Sequence, residues 1–193
     1  MTHENILVVK KTTLFGQKAV QGLIKETESY LTIIHQAKEF LPRPQMEQDE
    51  NYKQIIPYLV FKYQNRYFLM QRRSDSSEQR LSNKFSLGIG GHMRQEDMEQ
   101  ASTIFDWAKR EFHEEIDYSG NFSITTLGLL NDDTTDVGKV HTGLVLLLEG
   151  DSPEIQVRSE LKSGKLLTLP ECFDFYPQME TWSQIIFDTL TDN

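Results

Sequence analysis

Residues 96–116 constrain the fold most, because one helical stretch there must meet two opposed demands. At 100° per residue, with Ala108 at zero, Ala101, Ile104, Phe105, Ala108, Phe112 and Ile116 fall within about 120° of one another, the apolar stripe of a helix lying on a core. Glu111 and Glu115 lie within about 60° of Ala108, on one flank of that stripe, and Glu114 lies about 60° beyond Glu111. Three carboxylates thus leave one side of the helix near its C-terminus, where the helix dipole disfavours negative charge. Two unit charges 4 Å apart repel by about 1 kcal/mol in water and about 4 kcal/mol at an effective dielectric of 20. A solvated face, with the side chains splayed beside Lys109 and Arg110, answers that cost. So does a hard divalent cation, Mg²⁺ or Mn²⁺, whose charge turns repulsion into attraction. Helix geometry alone does not choose between them.

The rest of the chain supplies strands. Asn5–Lys10 reads as a short strand, and Gly16 breaks the pattern after it. Tyr30, Leu31, Ile34, Ala37 and Phe40 recur at helical spacing and predict a helix from about Lys25 to Phe40. The segment LPRPQMEQDEN (41–51) reads as an exposed linker, which puts a boundary between an N-terminal extension (1–50) and a main domain (51–193). YLVFKY and RYFLMQ flank Gln64-Asn65 as two strands around a tight turn. A polar loop then leads to Phe85–Leu87, and GIGG (88–91) reads as turn or loop. After the glutamate helix, Ser123–Leu130, Thr142–Leu148 and Lys165–Leu169 read as strands, with the acidic loop NDDTTDVGK between the first two. A last helix, Gln178–Leu190, comes after Pro177 and uses Trp182, Ile186 and Phe187 for core packing. Without regular βαβ alternation, this order predicts an α+β layered domain.

Composition excludes several functions. A formal net charge of −9 argues against nucleic-acid and anionic-membrane binding, though not against a small anion in a local basic pocket. No apolar run approaches the roughly 20 residues of a membrane span. The start, MTHENILVVKKTT, does not read as a secretory signal, and a cytoplasmic location is expected. Cys172 is the only cysteine, so neither an internal disulfide nor a cysteine-cluster metal site is available. No HxH or HExxH spacing marks a zinc site. His141 opens an apolar strand and reads as structural, and His113 faces away from the carboxylates.

Gly90-Gly91 before the helix and Arg110-Glu111-Phe112-His113-Glu114-Glu115 within it resemble the Nudix hydrolase family, whose box is Gly-x5-Glu-x7-Arg-Glu-U-x-Glu-Glu-x-Gly-U with U apolar. YKQIIPYLVF, FLMQRR and FSLGIGGH upstream, and VGKVHTGLVLLL and METWS downstream, look like a predicted-phosphoesterase branch of that family, over residues 52–190. The box is lengthened: Gly91 and Arg110 are nineteen positions apart, against fourteen in the family pattern. Ser102 stands where the early box glutamate belongs, with Glu96 or Glu99 as replacements if the insertion comes after them. Asp117 replaces the closing glycine.

The resemblance implies an α/β/α sandwich with a mixed sheet and a Mg²⁺- or Mn²⁺-dependent hydrolase of a pyrophosphate bond in a nucleoside diphosphate linked to another moiety. Glu111, Glu114 and Glu115 would hold the metal. One of them, or Glu160 in a later loop, would be the general base, and Arg110 would orient the carboxylates. Gly90 and Gly91 would let backbone approach the phosphates. His92, and one of Arg72 and Arg73 by strand alternation, would meet the phosphates, with Arg80 and Lys84 as alternatives. The expected partner is a small nucleotide or other diphosphate, and a homodimer is the ordinary assembly for small enzymes of this kind. A nucleotide-binding or sensing domain without turnover is the competing reading, motivated by Ser102 and Asp117. An isomerase of the isopentenyl diphosphate type would need a cysteine near the substrate, and Cys172 lies far past the box.

Overall fold

A computed structural model describes residues 4–17, 20–72, 83–100, 103–158 and 161–192, with backbone alone at 98–100. Arg73, Arg80, Ser102 and Glu160 lie outside the described residues, as does the side chain of Glu99. The first half runs β1 (Asn5–Lys10), α1 (Lys11–Phe15), β2 (Gly22–Ile24), α2 (Glu28–Ala37), β3 (Glu39–Pro42), α3 (Arg43–Met46), β4 (Tyr52–Tyr63), β5 (Arg66–Arg72), β6 (Phe85–Ser86) and β7 (Gly88–Gly90). The second half runs α4 (Gln95–Gln100), α5 (Ile104–Glu115), β8 (Ile116–Tyr118), β9 (Phe122–Asn131), α6 (Asp136–Val140), β10 (His141–Gly150), β11 (Ile155–Val157), β12 (Leu161–Thr168), α7 (Leu169–Phe173) and α8 (Thr181–Thr191). The chain divides into two compact units, one of Met1–Tyr58, Gly90–Trp107 and Thr126–Val145, the other of Leu59–Ile89, Ala108–Thr125 and Leu146–Asn193.

In the first unit β1 is the organiser. It pairs antiparallel with β3, Leu7 opposite Phe40, and with the start of β4, Val8 opposite Gln54. Ile6, Val8 and Met46 are buried together, with Leu41 and Tyr52 packed on them. Phe40 therefore leaves the helix that its spacing predicts: α2 ends at Ala37, because pairing with β1 outweighs periodicity. The expected linker at 41–51 is corrected likewise. It contains the end of β3 and all of α3, and its Met46 is buried. Pro44 sits in the first turn of α3, where a missing N–H costs no hydrogen bond.

In the second unit the β4–β5 hairpin forms as expected. Tyr63 pairs with Arg66, and Gln64 takes a positive φ of 53° in the two-residue turn. β12 pairs antiparallel with β5, and β11 with β8. Nine consecutive buried residues in β4, Lys53–Phe61, mean that both faces of this strand are covered. β4 neighbours β10 in the sheet. Lys53 reaches the His141 carbonyl near the start of both strands, and Lys62 reaches Glu149 near their ends, so β4 and β10 run in the same direction. Beside the antiparallel hairpin this makes the sheet mixed, and the class is α+β as the sequence order predicts.

Two expectations are corrected around the glutamates. GIGG is not a loop: Gly88–Gly90 is strand β7, paired with β4. A Cβ on Gly90 would lie 3.0 Å from the Ile56 Cγ2 and 3.3 Å from the Tyr58 Cδ2, so glycine serves close packing here. The single long helix is two, α4 and α5. Thr103 begins the second: its Oγ1 accepts from the Asp106 N–H at 3.1 Å, while its own N–H and hydroxyl donate to Asp106 Oδ2 at 3.1 and 2.8 Å. That reciprocal cap is encoded in Thr-Ile-Phe-Asp.

Candidate functional site

The cap on α5 fixes where its glutamates fall. Ala108, Phe112 and Ile116 are fully buried, as the wheel predicts, but Phe105 is 38% exposed and Trp107 is fully buried in its stead. Trp107 donates its Nε1–H to Asp97 Oδ2 at 3.3 Å, so the buried sector turns toward the glutamate side. Trp107 lies about 100° from Ala108, and Glu111 and Glu115 fall between the two on the wheel. They are half-buried and inside the inward arc rather than at its flank, while Glu114 is exposed.

The second unit holds the C-terminal half of this helix. Phe112 stacks on Phe61 with centroids 5.6 Å apart and meets Phe122 edge-on at 5.1 Å. The Glu115 carbonyl accepts from the Arg158 N–H at 2.8 Å, and β8 starts at the next residue. Arg110 Nη1 donates to Glu114 Oε1 at 2.6 Å, an i,i+4 ion pair. His113 is exposed, as expected. Asp117 lies in β8 opposite Gln156 at an ordinary negative φ, so this position makes no conformational demand for glycine. Arg72 ends β5, with its N–H on the Lys84 carbonyl at 3.0 Å. Its Nε is buried without a hydrogen-bond partner among the described residues. Lys84 is exposed. Cys172 is fully buried, and burial, then the Glu171 charge, pushes its thiol up to about 12, far from a reactive thiolate.

The first unit contains a group that sequence reading did not assemble. His92 comes directly after Gly90 and Gly91 and is held by β1: the Leu7 N–H donates to the Met93 carbonyl at 2.8 Å, and Ile6 bridges to Arg94. His92 Nε2 lies 2.7 Å from Gln54 Oε1, 3.3 Å from His141 Nε2 and 3.9 Å from Glu47 Oε1. Gln54 is fixed by donating its Nε2 to the Met46 carbonyl at 3.2 Å, and His141 Nδ1 donates to the Val137 carbonyl at 2.7 Å. Burial, then the Arg43 charge, then His141, lower His92 to about 3, so it is neutral at pH 7. Among the described residues, Glu47, His92 and His141 are the only set of three such side chains whose ligating atoms lie mutually within 4.8 Å. The three glutamates of α5 are not gathered to that spacing. The one local signal for the set was the histidine of GIGGH. Glu47 fell within the supposed linker.

The acidic loop beside this group has its own cation. Lys53, fully buried in β4, donates to Asp133 Oδ1 at 2.5 Å, the Gly138 carbonyl at 2.6 Å and the His141 carbonyl at 3.3 Å. Lys11 adds a second ion pair to Asp133 at 2.8 Å. Burial lowers Lys53 below its ordinary value, an effect its bond to Asp133 opposes.

No family model matches the chain. Protein YmaB of Bacillus subtilis (strain 168) is 36% identical over 203 residues, spanning 97% of this chain and 97% of that protein. The crystal structure of Tm1382, a candidate Nudix hydrolase, aligns with a TM-score of 0.77 at 32% identity, over 98% of this chain and 99% of that one. The bifunctional NMN adenylyltransferase/ADP ribose pyrophosphatase of Francisella tularensis, solved with AMP and a Mn ion, aligns at a TM-score of 0.51 and 17% identity, over 72% of this chain and 41% of that one, which is a likeness of fold. With a full-length likeness to Tm1382, and with Arg110-Glu111-Phe112-His113-Glu114-Glu115 on a helix behind a close-packed glycine strand, the chain belongs to the Nudix hydrolase family.

Proposed function

We propose that the chain is a Mg²⁺- or Mn²⁺-dependent hydrolase that cleaves the pyrophosphate bond of a nucleoside diphosphate linked to another moiety. The observation that carries this reading is the placement of Glu111 and Glu115 within the inward arc of α5, half-buried and one turn apart. Carboxylates one turn apart on a core-facing surface suit a hard cation, which would draw them together on binding. The donor set of Glu111, Glu114 and Glu115 is all oxygen, as Mg²⁺ and Mn²⁺ prefer. When bound, such an ion offsets charge on the phosphate oxygens and makes a water more acidic.

The chain's own residues do the rest. Arg110 holds Glu114 and keeps its carboxylate oriented. Gly90 and Gly91 allow close approach of backbone to the phosphates, and Arg72 and Arg73 provide positive charge. Arg72 Nε retains a donor with no acceptor among the described residues. We assign no phosphate to His92, whose Nε2 already faces Gln54 and His141. A glutamate of α5, or Glu160, takes the proton from the attacking water. The partner is a small nucleotide, the location the cytoplasm and the assembly a homodimer. Among the described residues no helix is long and apolar enough to cross a membrane.

The test is a panel of nucleoside diphosphate derivatives with Mg²⁺ or Mn²⁺, using Glu114→Gln and Glu115→Gln as controls. Metal-dependent release of a nucleoside monophosphate, lost in both variants, supports the proposal. Ligand-induced stabilisation without release supports the sensing domain instead.

A further inference from the structure

We propose that Glu47, His92 and His141 form a second metal site, for a borderline transition ion of the zinc class rather than for Mg²⁺. The tautomers give the first reason. His141 donates its Nδ1–H to the Val137 carbonyl, so its Nε2 presents a lone pair, aimed at His92. A ring N–H on a backbone carbonyl is the arrangement that orients metal-bound histidines. Gln54, turned by its bond to Met46, presents Oε1 and not its amide, and Glu47 presents a carboxylate. Three acceptor atoms therefore converge on one imidazole nitrogen.

The spacing fits as well. Two Zn–N bonds of 2.0–2.1 Å at the tetrahedral angle set the nitrogens about 3.3–3.4 Å apart. The two Nε2 atoms are 3.3 Å apart. Glu47 Oε1, at 3.9 Å from His92 Nε2, has about 0.5 Å to close. It lies on a partly exposed side chain that also meets Arg43 Nε at 3.4 Å. Two imidazoles and one carboxylate are a zinc-type donor set, and Gln54 Oε1 or a water completes the fourth position. The ligands come from the end of α3, the residues after β7 and the start of β10, so an ion here would tie together three distant segments of the first unit.

This site is independent of the hydrolase reading, and one experiment separates the two. Full-length protein freed of metal by chelation is titrated with zinc chloride, with binding read by calorimetry and by bound metal per chain. The expected result is one zinc per chain and a raised Tm, with affinity at least about tenfold weaker in Glu47→Gln and His92→Gln. Excess Mg²⁺ should not displace the zinc, and Glu115→Gln should bind zinc as the parent does. Imidazole ¹⁵N spectra of the unsubstituted protein test the same point without a variant. In the metal-free state Nε2 of His92 carries the proton shared with Gln54, and zinc should move that proton to Nδ1. Absence of stoichiometric binding, unchanged affinity in both variants, or ¹⁵N shifts that ignore zinc would each overturn the proposal.

Discussion

The α5 glutamates and the buried polar group at the start of β4 and β10 hold charge in opposite ways. On α5 the charged atoms are exposed or half-buried, lie within one helical turn and come from five consecutive residues. In the first unit Lys53, Gln54 and His141 are buried, and their partners include positions 46, 92, 133, 137 and 138. The first arrangement lies toward solvent, so changing one of its side chains should cost little stability. The second satisfies its charge internally, so the same kind of change removes stability. On the proposed reading the α5 carboxylates serve hydrolysis, while the network around Lys53 serves stability.

The largest expected effect tests the exposed set. Glu114→Gln and Glu115→Gln should each lower pyrophosphate hydrolysis by roughly 10²–10³-fold, the scale of losing one preorganised electrostatic group. Their melting temperatures should stay close to the parent's. A variant with parental turnover, or one that melts early, breaks the comparison.

Next comes the buried set. Lys53→Met leaves Asp133 with Lys11 as its ion-pair partner among the described residues and should cost about 3 kcal/mol at neutral pH, the low end for breaking a buried pair because Lys11 remains. Urea midpoints read this directly. The pH dependence sharpens it. Burial would raise Asp133, but hydrogen bonds from Lys11 and Lys53 outweigh burial and hold it below 3.8. A depressed carboxylate contributes fully above its unfolded value and loses that contribution as pH falls through its folded value. The gap between the two proteins should therefore be constant from about pH 5 to 7 and close in stronger acid. A gap that widens in acid would contradict the pairing.

Two smaller effects test the helix itself. Trp107→Phe deprives Asp97 of the indole donor and should cost about 1–2 kcal/mol. Phe105→Ala, at an exposed position, should change stability by no more than about 0.5 kcal/mol. Equal losses at both positions would restore the stripe read from the sequence.

Legibility in the sequence divides along the same line. The β4–β5 hairpin and the glutamates are written in neighbouring residues, so local pattern sufficed for both. The break before α5 was also written locally, in Thr103 and Asp106, and was obscured by apolar residues that keep helical spacing across it. Strand β7 was hidden because glycines read as turn, whereas Gly90 packs tightly against Ile56 and Tyr58 of the strand it pairs with. Of the set of Glu47, His92 and His141, only the histidine of GIGGH had a local signal. Its members are brought together by the pairing of β1 with β4 and with residues 93–94, and by β10 lying beside β4.

The lysine beneath the acidic loop has a practical consequence for redesign. The segment joining β9 to β10 is an obvious place to transplant residues from a relative when a new substrate is wanted. Position 53 has to travel with it. A donor segment lacking a carboxylate at 133 would leave a buried ammonium without its counter-charge, and the chimera would lose stability whatever its selectivity.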